Sequence, residues 1–283
     1  MAVRSTKPIY LVVATTLSPS SGIGYNGSLP WKRIKKDMDF FKAVTTATSP
    51  PVPDGVLQHG KALNAVIMGK KTWDSVPRPY KPLSDRINVV VSRTGHRDLA
   101  REIEEQLNTG QKESDRPWKT VNDDKVSILK VKHAEGLDDH LTDDVAAHPI
   151  MTCQSISAAL DYLENRRKGR EINPLRNVFC IGGQQIYELF LNDNQLRPRC
   201  KILQTEIRKF DGPDFPIDTY FPIGLSETQS SHVQELPREE VTSELNVDLP
   251  QGDAEWTRAA ATDLEGKTCR VELRVRSWQV VAS

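Results

Sequence analysis

One acid stands out for its neighbours. Asp37 follows the basic entry Lys32, Arg33, Lys35 and Lys36 and is flanked by Ile34, Met38 and Phe41, which fall on one helical stripe. At helical spacing Asp37 lies one turn from Phe41 and adjoins that stripe, so its carboxylate can face the interior. A buried carboxylate is costly without a partner, which would be protein, water or ligand; the alternative is a solvated charge balancing the lysines around it. Three glycine-bearing turns could hold a ligand. Gly22-Ile23-Gly24-Tyr25-Asn26-Gly27-Ser28-Leu29-Pro30-Trp31 follows a buried strand, and its glycines allow positive φ and close approach to a flat ligand, or simply make a turn. It does not open straight into a helix as the dinucleotide fingerprint requires. Met68-Gly69-Lys70-Lys71-Thr72-Trp73 joins a strand to a short helix, where free N–H groups and lysines suit phosphate or merely make a charged surface. It is not a Walker loop, because Asn64 stands where that loop needs its first glycine. In Ile181-Gly182-Gly183-Gln184-Gln185-Ile186-Tyr187 the glycine pair serves either a pyrophosphate at the next helix or close helix-to-strand packing. Ser92-Arg93 could grip a phosphate, and Arg86 offers a fork for a carboxylate; either arginine could equally be ordinary surface charge.

These residues need a frame. Continuous apolar runs at 8–15, 65–68, 87–91 and 177–181 suit strands covered on both faces. Helical patterns occupy 34–44, 70–75, 98–107 and 155–166, so strands alternate with helices. Residues 199–207 and 268–279 read as alternating strands with no helical pattern between them, an antiparallel pair closing the sheet. The fold expected is α/β: a single domain over 1–283, with a central mixed, mainly parallel sheet, flanking helices and an antiparallel C-terminal edge strand. Segments 108–125 and 226–255, polar and poor in large apolar residues, read as surface insertions or loops. The prolines of Ser49-Pro50-Pro51-Val52-Pro53-Asp54-Gly55 forbid a helix there.

Composition removes several classes. Lys+Arg and Asp+Glu number 38 each, so no net field draws the chain to nucleic acid or anionic lipid, and a small partner is expected. Cys153, Cys180, Cys200 and Cys269 lie far apart without a C-x-x-C pair, against both a zinc site and a disulfide scaffold. Histidines at 59, 96, 133, 140, 148 and 232 lack metal-binding spacing, and no Gly-x-Ser-x-Gly elbow occurs. No metal is expected. The apolar run Ile9 to Ala14 is too short for a signal peptide or membrane span, and a cytoplasmic protein is expected.

Taken in order, these segments resemble dihydrofolate reductase. The resemblance rests on the Gly22 to Trp31 loop, helix 34–44 with Asp37 and Phe41, Val66 to Trp73, Pro82-Leu83-Ser84-Asp85-Arg86-Ile87-Asn88, Ser92-Arg93, Ile181 to Tyr187, the Thr205 strand and Asp218-Thr219-Tyr220-Phe221-Pro222. It covers about 8–93, 176–222 and 267–279, leaving 94–175 and 223–266 only loosely matched, in a chain whose length is like that of fungal members. The resemblance implies an NADPH-dependent reduction of 7,8-dihydrofolate to tetrahydrofolate: hydride passes to pterin C6, and N5 takes a proton through water. It places Asp37, Leu29, Trp31, Tyr187 and Thr205 in the catalytic machinery, with Thr205 backing Asp37 and Asp37 accepting hydrogen bonds from the pterin amino and ring N–H groups. Substrate contacts are implied for Val12, Val13, Met38, Phe41, Ser75, Val76, Pro77, Leu83 and Ile181, with Arg86 and Lys35 toward the glutamate tail. Cofactor contacts are implied for Ala14, Ile23, Gly24, Gly27, Ser28 and Leu29 around the nicotinamide lid. They are also implied for Gly69, Lys70, Lys71, Thr72, Val91, Ser92 and Arg93 at the phosphates, and for Gly182, Gly183, Gln184, Gln185 and Ile186 at the pyrophosphate. A monomer that also binds antifolates is implied. Met38 replaces the aromatic often found after the family acid, and two extra residues within Ser18 to Ser21 precede the lid; both depart from the family pattern.

Two rivals remain at this level. A riboflavin-biosynthesis reductase shares NADPH and a related fold but needs neither the Asp37 helix nor an Arg86 clamp. A catalytically silent NADPH-binding protein would keep the phosphate motifs without the reaction.

Overall fold

The computed structural model describes residues 7–47, 63–112, 118–131, 150–166, 175–225, 232–248 and 256–281. In chain order the elements begin with β1 (Ile9–Thr16), β2 (Gly22–Gly24), β3 (Arg33–Ile34), α1 (Lys35–Thr46), β4 (Leu63–Gly69), α2 (Lys70–Ser75), β5 (Arg86–Val91) and α3 (His96–Asn108). There follow β6 (Trp118–Asn122), β7 (Val126–Val131), β8 (Ile150–Cys153), α4 (Ile156–Arg166), β9 (Leu175–Cys180) and α5 (Gln184–Leu191). The chain ends through β10 (Cys200–Lys209), β11 (Thr219–Tyr220), β12 (Val233–Glu235), α6 (Arg238–Leu245), β13 (Thr257–Thr262) and β14 (Thr268–Val280). Two compact units form, Met1–Pro50 with Phe179–Ser283, and Pro51–Val178.

In the first unit β1 runs parallel to β10, β10 is antiparallel to β14, and β14 carries β13 and β12 as further antiparallel partners. Strand alternation sorts the residues. Val12 pairs with Leu203 and Ala14 with Thr205, so these share one face, while Val13, paired with Gln204, points to the other. On that second face Gln204 donates to Thr15 Oγ1 at 2.8 Å and accepts from Trp278 Nε1 at 2.9 Å, which satisfies three buried polar groups at once.

The second unit has parallel ladders β4–β5 and β5–β8, continued by antiparallel β7 and β6. Strands β4, β5 and β8 are buried along nearly their whole length, as runs covered on both faces should be. The α/β architecture with a mixed sheet and an antiparallel C-terminal strand is therefore as the sequence implies. Five apolar side chains of α3 and α4, Leu99, Ile103, Ile156, Leu160 and Leu163, are buried, which is why these helices flank the strands.

Several local expectations are corrected. The buried side of α1 is Asp37, Phe40, Val44 and Thr45; Met38 is 38% exposed, and Ile34, although fully buried, belongs to β3. The polar segment 108–125 is not all loop, since its Trp118–Asn122 part pairs with β7 as a hairpin. Segment 226–255 holds a strand and a helix, and α6 stands between β10 and β14, where no helical pattern was legible. Charge fixes that helix: Lys201 Nζ meets Glu240 at 3.0 Å and Glu244 at 2.5 Å, and buried Tyr10 donates to Glu244 at 2.9 Å. A helix with only two buried apolar residues, Val241 and Leu245, gives a weak periodic signal. Residues 49–55, 113–117, 226–231 and 249–255 lie outside the described residues.

The glycines of the 22–31 loop also divide differently from the expectation. Only Gly27 has positive φ, at 75°, next to Asn26 at 50°; Tyr25 and Ser28 exchange backbone hydrogen bonds at 2.9 and 3.1 Å, the geometry of a two-residue primed turn. Gly22 and Gly24 lie in β2, paired with β11, and serve close packing instead. A Cβ on Gly22 would come within 2.5 Å of Thr16 Oγ1 and 2.8 Å of Ile217. Gly22→Ala is therefore expected to cost about 1–3 kcal/mol through overpacking, read as a lower thermal midpoint; an unchanged midpoint would show that this contact relaxes freely.

Candidate functional site

In the first unit the site is built around Asp37. Ile34 pairs with Ala261 through β3 and packs, fully buried, with Trp31, Ile207, Phe215, Cys269, Val271 and Leu273. That anchor sets where α1 begins and so directs its first turn. Asp37, in that turn, is only 5% exposed, and its carboxylate is hydrogen-bonded to Thr205 of β10. Burial pushes its pKa from 3.8 up to about 6, with the Thr205 hydroxyl partly opposing the rise. Ala14 sits beside Thr205 in the parallel register. Trp31 Nε1 is buried and has no protein partner among the described residues, in the same cluster as Ile34. Buried indole donors ordinarily have an acceptor, so a bound water or ligand suits this one.

The Gly182–Gly183 peptide is cis, and Gly182 has φ of 102°. A Cβ there would press on Tyr187 at 3.2–3.3 Å, so glycine lets the turn lie against that ring. Tyr187 is buried, donates to the Val12 carbonyl at 2.7 Å, and packs edge-on against Phe221 at 4.9 Å between centroids. The bond ties α5 to β1. Helix α5 starts after Gly183 with no side-chain cap, leaving the N–H groups of Gln184 and Gln185 suited to an anion. Ile186 is buried, and Gln184 is turned toward Glu188 at 2.9 Å. In the turn before α1, Asn26 N–H bonds Asp218 at 2.8 Å, and Ser28 and Leu29 lie exposed. Asp218, whose carboxyl is held below its usual range by that N–H and by the Thr219 hydroxyl, fastens the loop; its role was not legible, since nothing in the sequence beside a lone Asp marks the distant backbone N–H that it holds.

The remaining first-unit residues are less enclosed. Phe41 is half-buried, Ile23 and Ile181 partly so, and Val12 is buried on the Thr205 face. Val13 lies on the opposite face from Thr205, so only its backbone is available on the Asp37 side. Lys35 is exposed and paired with Asp39 at 2.5 Å.

The second unit holds the expected anion groups. Gly69 and Val91 are register partners at the ends of parallel β4 and β5, so Lys70-Lys71-Thr72 and Ser92-Arg93 leave adjacent strand ends. Neighbouring strands are about 4.8 Å apart, which brings the hydroxyls of Thr72 and Ser92 and three cations to one sheet end. Lys71 and Arg93 are exposed there. Lys70 is already engaged, by Asp74 at 2.7 Å and Glu102 at 2.8 Å, which raise its pKa. Arg86 is 4% exposed, which removes the alternative of ordinary surface charge; its Nε donates to Ser84 O at 2.8 Å and burial lowers its pKa to about 10. Asn88 bonds both the N–H and the carbonyl of Leu83 at 2.9 Å, which fixes the 82–86 turn. Ser75 and Pro77 are exposed and Val76 and Leu83 half-buried. Among the described residues no acid, His or Cys cluster could hold a metal, and the four cysteines are free and buried. Of the histidines, 59, 133, 140 and 148 lie outside the described residues.

Comparison with known proteins gives the family. A family profile described as dihydrofolate reductase matches residues 57–120. A dihydrofolate reductase of Schistosoma mansoni is 30% identical over 232 residues, covering 76% of this chain and 91% of its own. That of Candida albicans is 26% identical over 258 residues, 89% of this chain and 99% of its own. A solved structure of the Schistosoma mansoni reductase superposes with a TM-score of 0.52 at 26% identity, covering 98% of this chain and all of that one. The chain belongs to the dihydrofolate reductase family.

The buried acid has a measurable cost. Its folded pKa of about 6 exceeds the unfolded 3.8, so the fold binds the proton more tightly, and stability declines as pH rises from about 4 through 6. At ~1.4 kcal/mol per pKa unit the ionised form costs about 3 kcal/mol at neutral pH. Asp37→Asn is thus expected to raise the thermal midpoint at pH 8, with the gain closing near pH 4; a variant no more stable at pH 8 would show that the carboxylate is not desolvated.

Proposed function

We infer that this chain catalyses the NADPH-dependent reduction of 7,8-dihydrofolate to 5,6,7,8-tetrahydrofolate. The observation that carries the reading is Asp37, a buried carboxylate bonded by Thr205 in a protein of the dihydrofolate reductase family. An ionised acid here needs donors, and the pterin 2-amino and ring N–H groups supply two that are parallel and matched to a carboxylate. With its pKa near 6, Asp37 is mostly ionised at neutral pH, which favours a cationic, protonated pterin; the proton reaches N5 through water, for which buried Trp31 Nε1 is a suited donor. Leu29 excludes solvent from that step, and Tyr187 holds the Val12 strand edge. Met38, Phe41, Val76, Ser75, Pro77, Leu83, Ile181 and Val12 take the ring and benzoyl group, Val13 contributes backbone alone, and Arg86 takes the glutamate carboxylate with Lys35 as a secondary cation.

The donor set suits NADPH, which when bound supplies the hydride. Two glycine turns and an uncapped α5 start fit a pyrophosphate, and the hydroxyls and cations at the ends of β4 and β5 fit phosphates. In this reading Gly182, Gly183, Gln184, Gln185 and Ile186 hold the pyrophosphate side, and Gly69, Lys70, Lys71, Thr72, Val91, Ser92 and Arg93 the adenosine phosphates. Ala14, Ile23, Gly24, Gly27, Ser28 and Leu29 border the nicotinamide. The chain acts, on this inference, as one reductase domain over 1–283, a cytosolic monomer that also binds antifolates. Charge balance agrees with a small-molecule partner, and no helix among the described residues is long and apolar enough to cross a membrane.

The test is dihydrofolate-dependent NADPH oxidation. Asp37→Asn is expected to lose about two to four decades of turnover, the range for acid–base participation, while NADPH titration of the folded variant is little changed. Near-normal turnover at neutral pH would overturn the role of the acid.

A further inference from the structure

Lys70 stands at the sheet end that the preceding reading gives to the cofactor's adenosine phosphates, and the inference here rests on that reading. Its ammonium is not simply waiting for an anion. Asp74, one turn further along α2, lies 2.7 Å away, and Glu102 of α3 lies 2.8 Å away. A lysine has three N–H donors, so the two carboxylates leave at most one. Formally one positive charge faces two negative ones.

Glu102 is also held in place from behind. Buried Trp73 donates its indole N–H to Gln106 Oε1 at 3.3 Å, and Gln106 donates from Nε2 to Glu102 Oε1, again at 3.3 Å. The same Oε1 receives Lys70. A relay Trp73–Gln106–Glu102–Lys70 thus links the core of this unit to the ammonium, with each donor matched to an acceptor. The relay biases Glu102 toward the ammonium, so a dianion approaching Lys70 meets two carboxylates already beside it.

We propose that Glu102 is a specificity-determining residue for the nicotinamide cofactor: by holding Lys70 and adding its own charge beside it, Glu102 weakens the preference for the 2′-phosphorylated cofactor over the unphosphorylated one. Cofactors without the phosphate bring no charge to this point and are indifferent to it. Asp74 acts in the same direction. The remaining cations at this sheet end, Lys71 and Arg93, are exposed and carry the preference that persists. Because the groups are partly solvated, the effect is screened and shrinks with added salt.

The experiment is equilibrium titration of the full chain with NADPH and with NADH, followed by tryptophan quenching, at low and high salt. Glu102→Gln keeps the hydrogen-bonding side chain and removes the charge. It is expected to tighten NADPH by about three- to tenfold, the scale of one charge acting on a dianion several ångströms off in water, with NADH unchanged and the gain smaller at 0.5 M salt. Asp74→Asn is the second variant and should move the NADPH-to-NADH ratio the same way. Lys70→Met is the control and should lower the ratio to what Lys71 and Arg93 alone supply. If Lys70→Met lowers it while neither neutralised acid raises it, Glu102 has no such role and the inference fails with the cofactor reading intact. If both cofactors tighten or weaken together in Glu102→Gln, its effect is structural and the inference fails. If Lys70→Met leaves the ratio untouched, the assignment of Lys70 to the phosphate falls, and the inference falls with it.

Discussion

The structure of the first unit turns on one contact, the carboxylate of Asp37 held by the Thr205 hydroxyl beneath the first turn of α1. A desolvated acid is an unfavourable thing to place in a core, and everything near it limits that cost or exploits it. Ile34, fixed in β3 among Trp31, Phe215 and Leu273, sets the start of the helix and so the direction of Asp37, its third residue. The parallel pairing of β1 and β10 places Thr205 beside Ala14, and the Tyr187 bond to Val12 holds the same strand from α5. The residual orphan, Trp31 Nε1, lies in the cluster that anchors the acid's helix.

Glycine and charge do different work in the two units. In the first, Gly22 and Gly182 permit contacts that any Cβ would obstruct, against Thr16 and Ile217 in one case and the Tyr187 ring in the other. In the second, parallel register delivers the Lys70 and Ser92 segments to neighbouring strand ends, and the carboxylates of Asp74 and Glu102 then temper the charge collected there. The local field there is set as much by these acids as by the lysines, which is why counting basic residues in a motif overstates the positive field it presents.

Much of the frame was legible because it follows local rules. Buried strands read as unbroken apolar runs, and α2 falls on 70–75 as its flanking strand and turn require. What failed locally failed for identifiable reasons. The stripe through Met38 was off by a fraction of a turn, since Phe40 rather than Met38 faces inward and the Lys-rich entry carries no phase information. Helix α6 is held by Lys201 and Tyr10 from β10 and β1, partners 43 and 234 residues from Glu244 in the chain, so its own sequence shows little amphipathic pattern. Gly22 and Gly24 were legible as special but not as packing glycines, because an extended glycine against Thr16 or Thr219 has the same local sequence as a turn glycine.

By itself the sequence determined the succession of strands and helices outside 108–125 and 226–255, the family, and the residue types able to bind a pterin, a glutamate tail and phosphates, because apolar periodicity and turn chemistry are written within a few neighbouring residues. Only the tertiary structure decided which charges are desolvated and which are neutralised. It buried Asp37 against Thr205, sank Arg86 beneath the surface, and set Glu102 on Lys70. Those outcomes depend on the low-dielectric surroundings and on partners distant in the chain, and electrostatic free energy is set by that environment rather than by the residue.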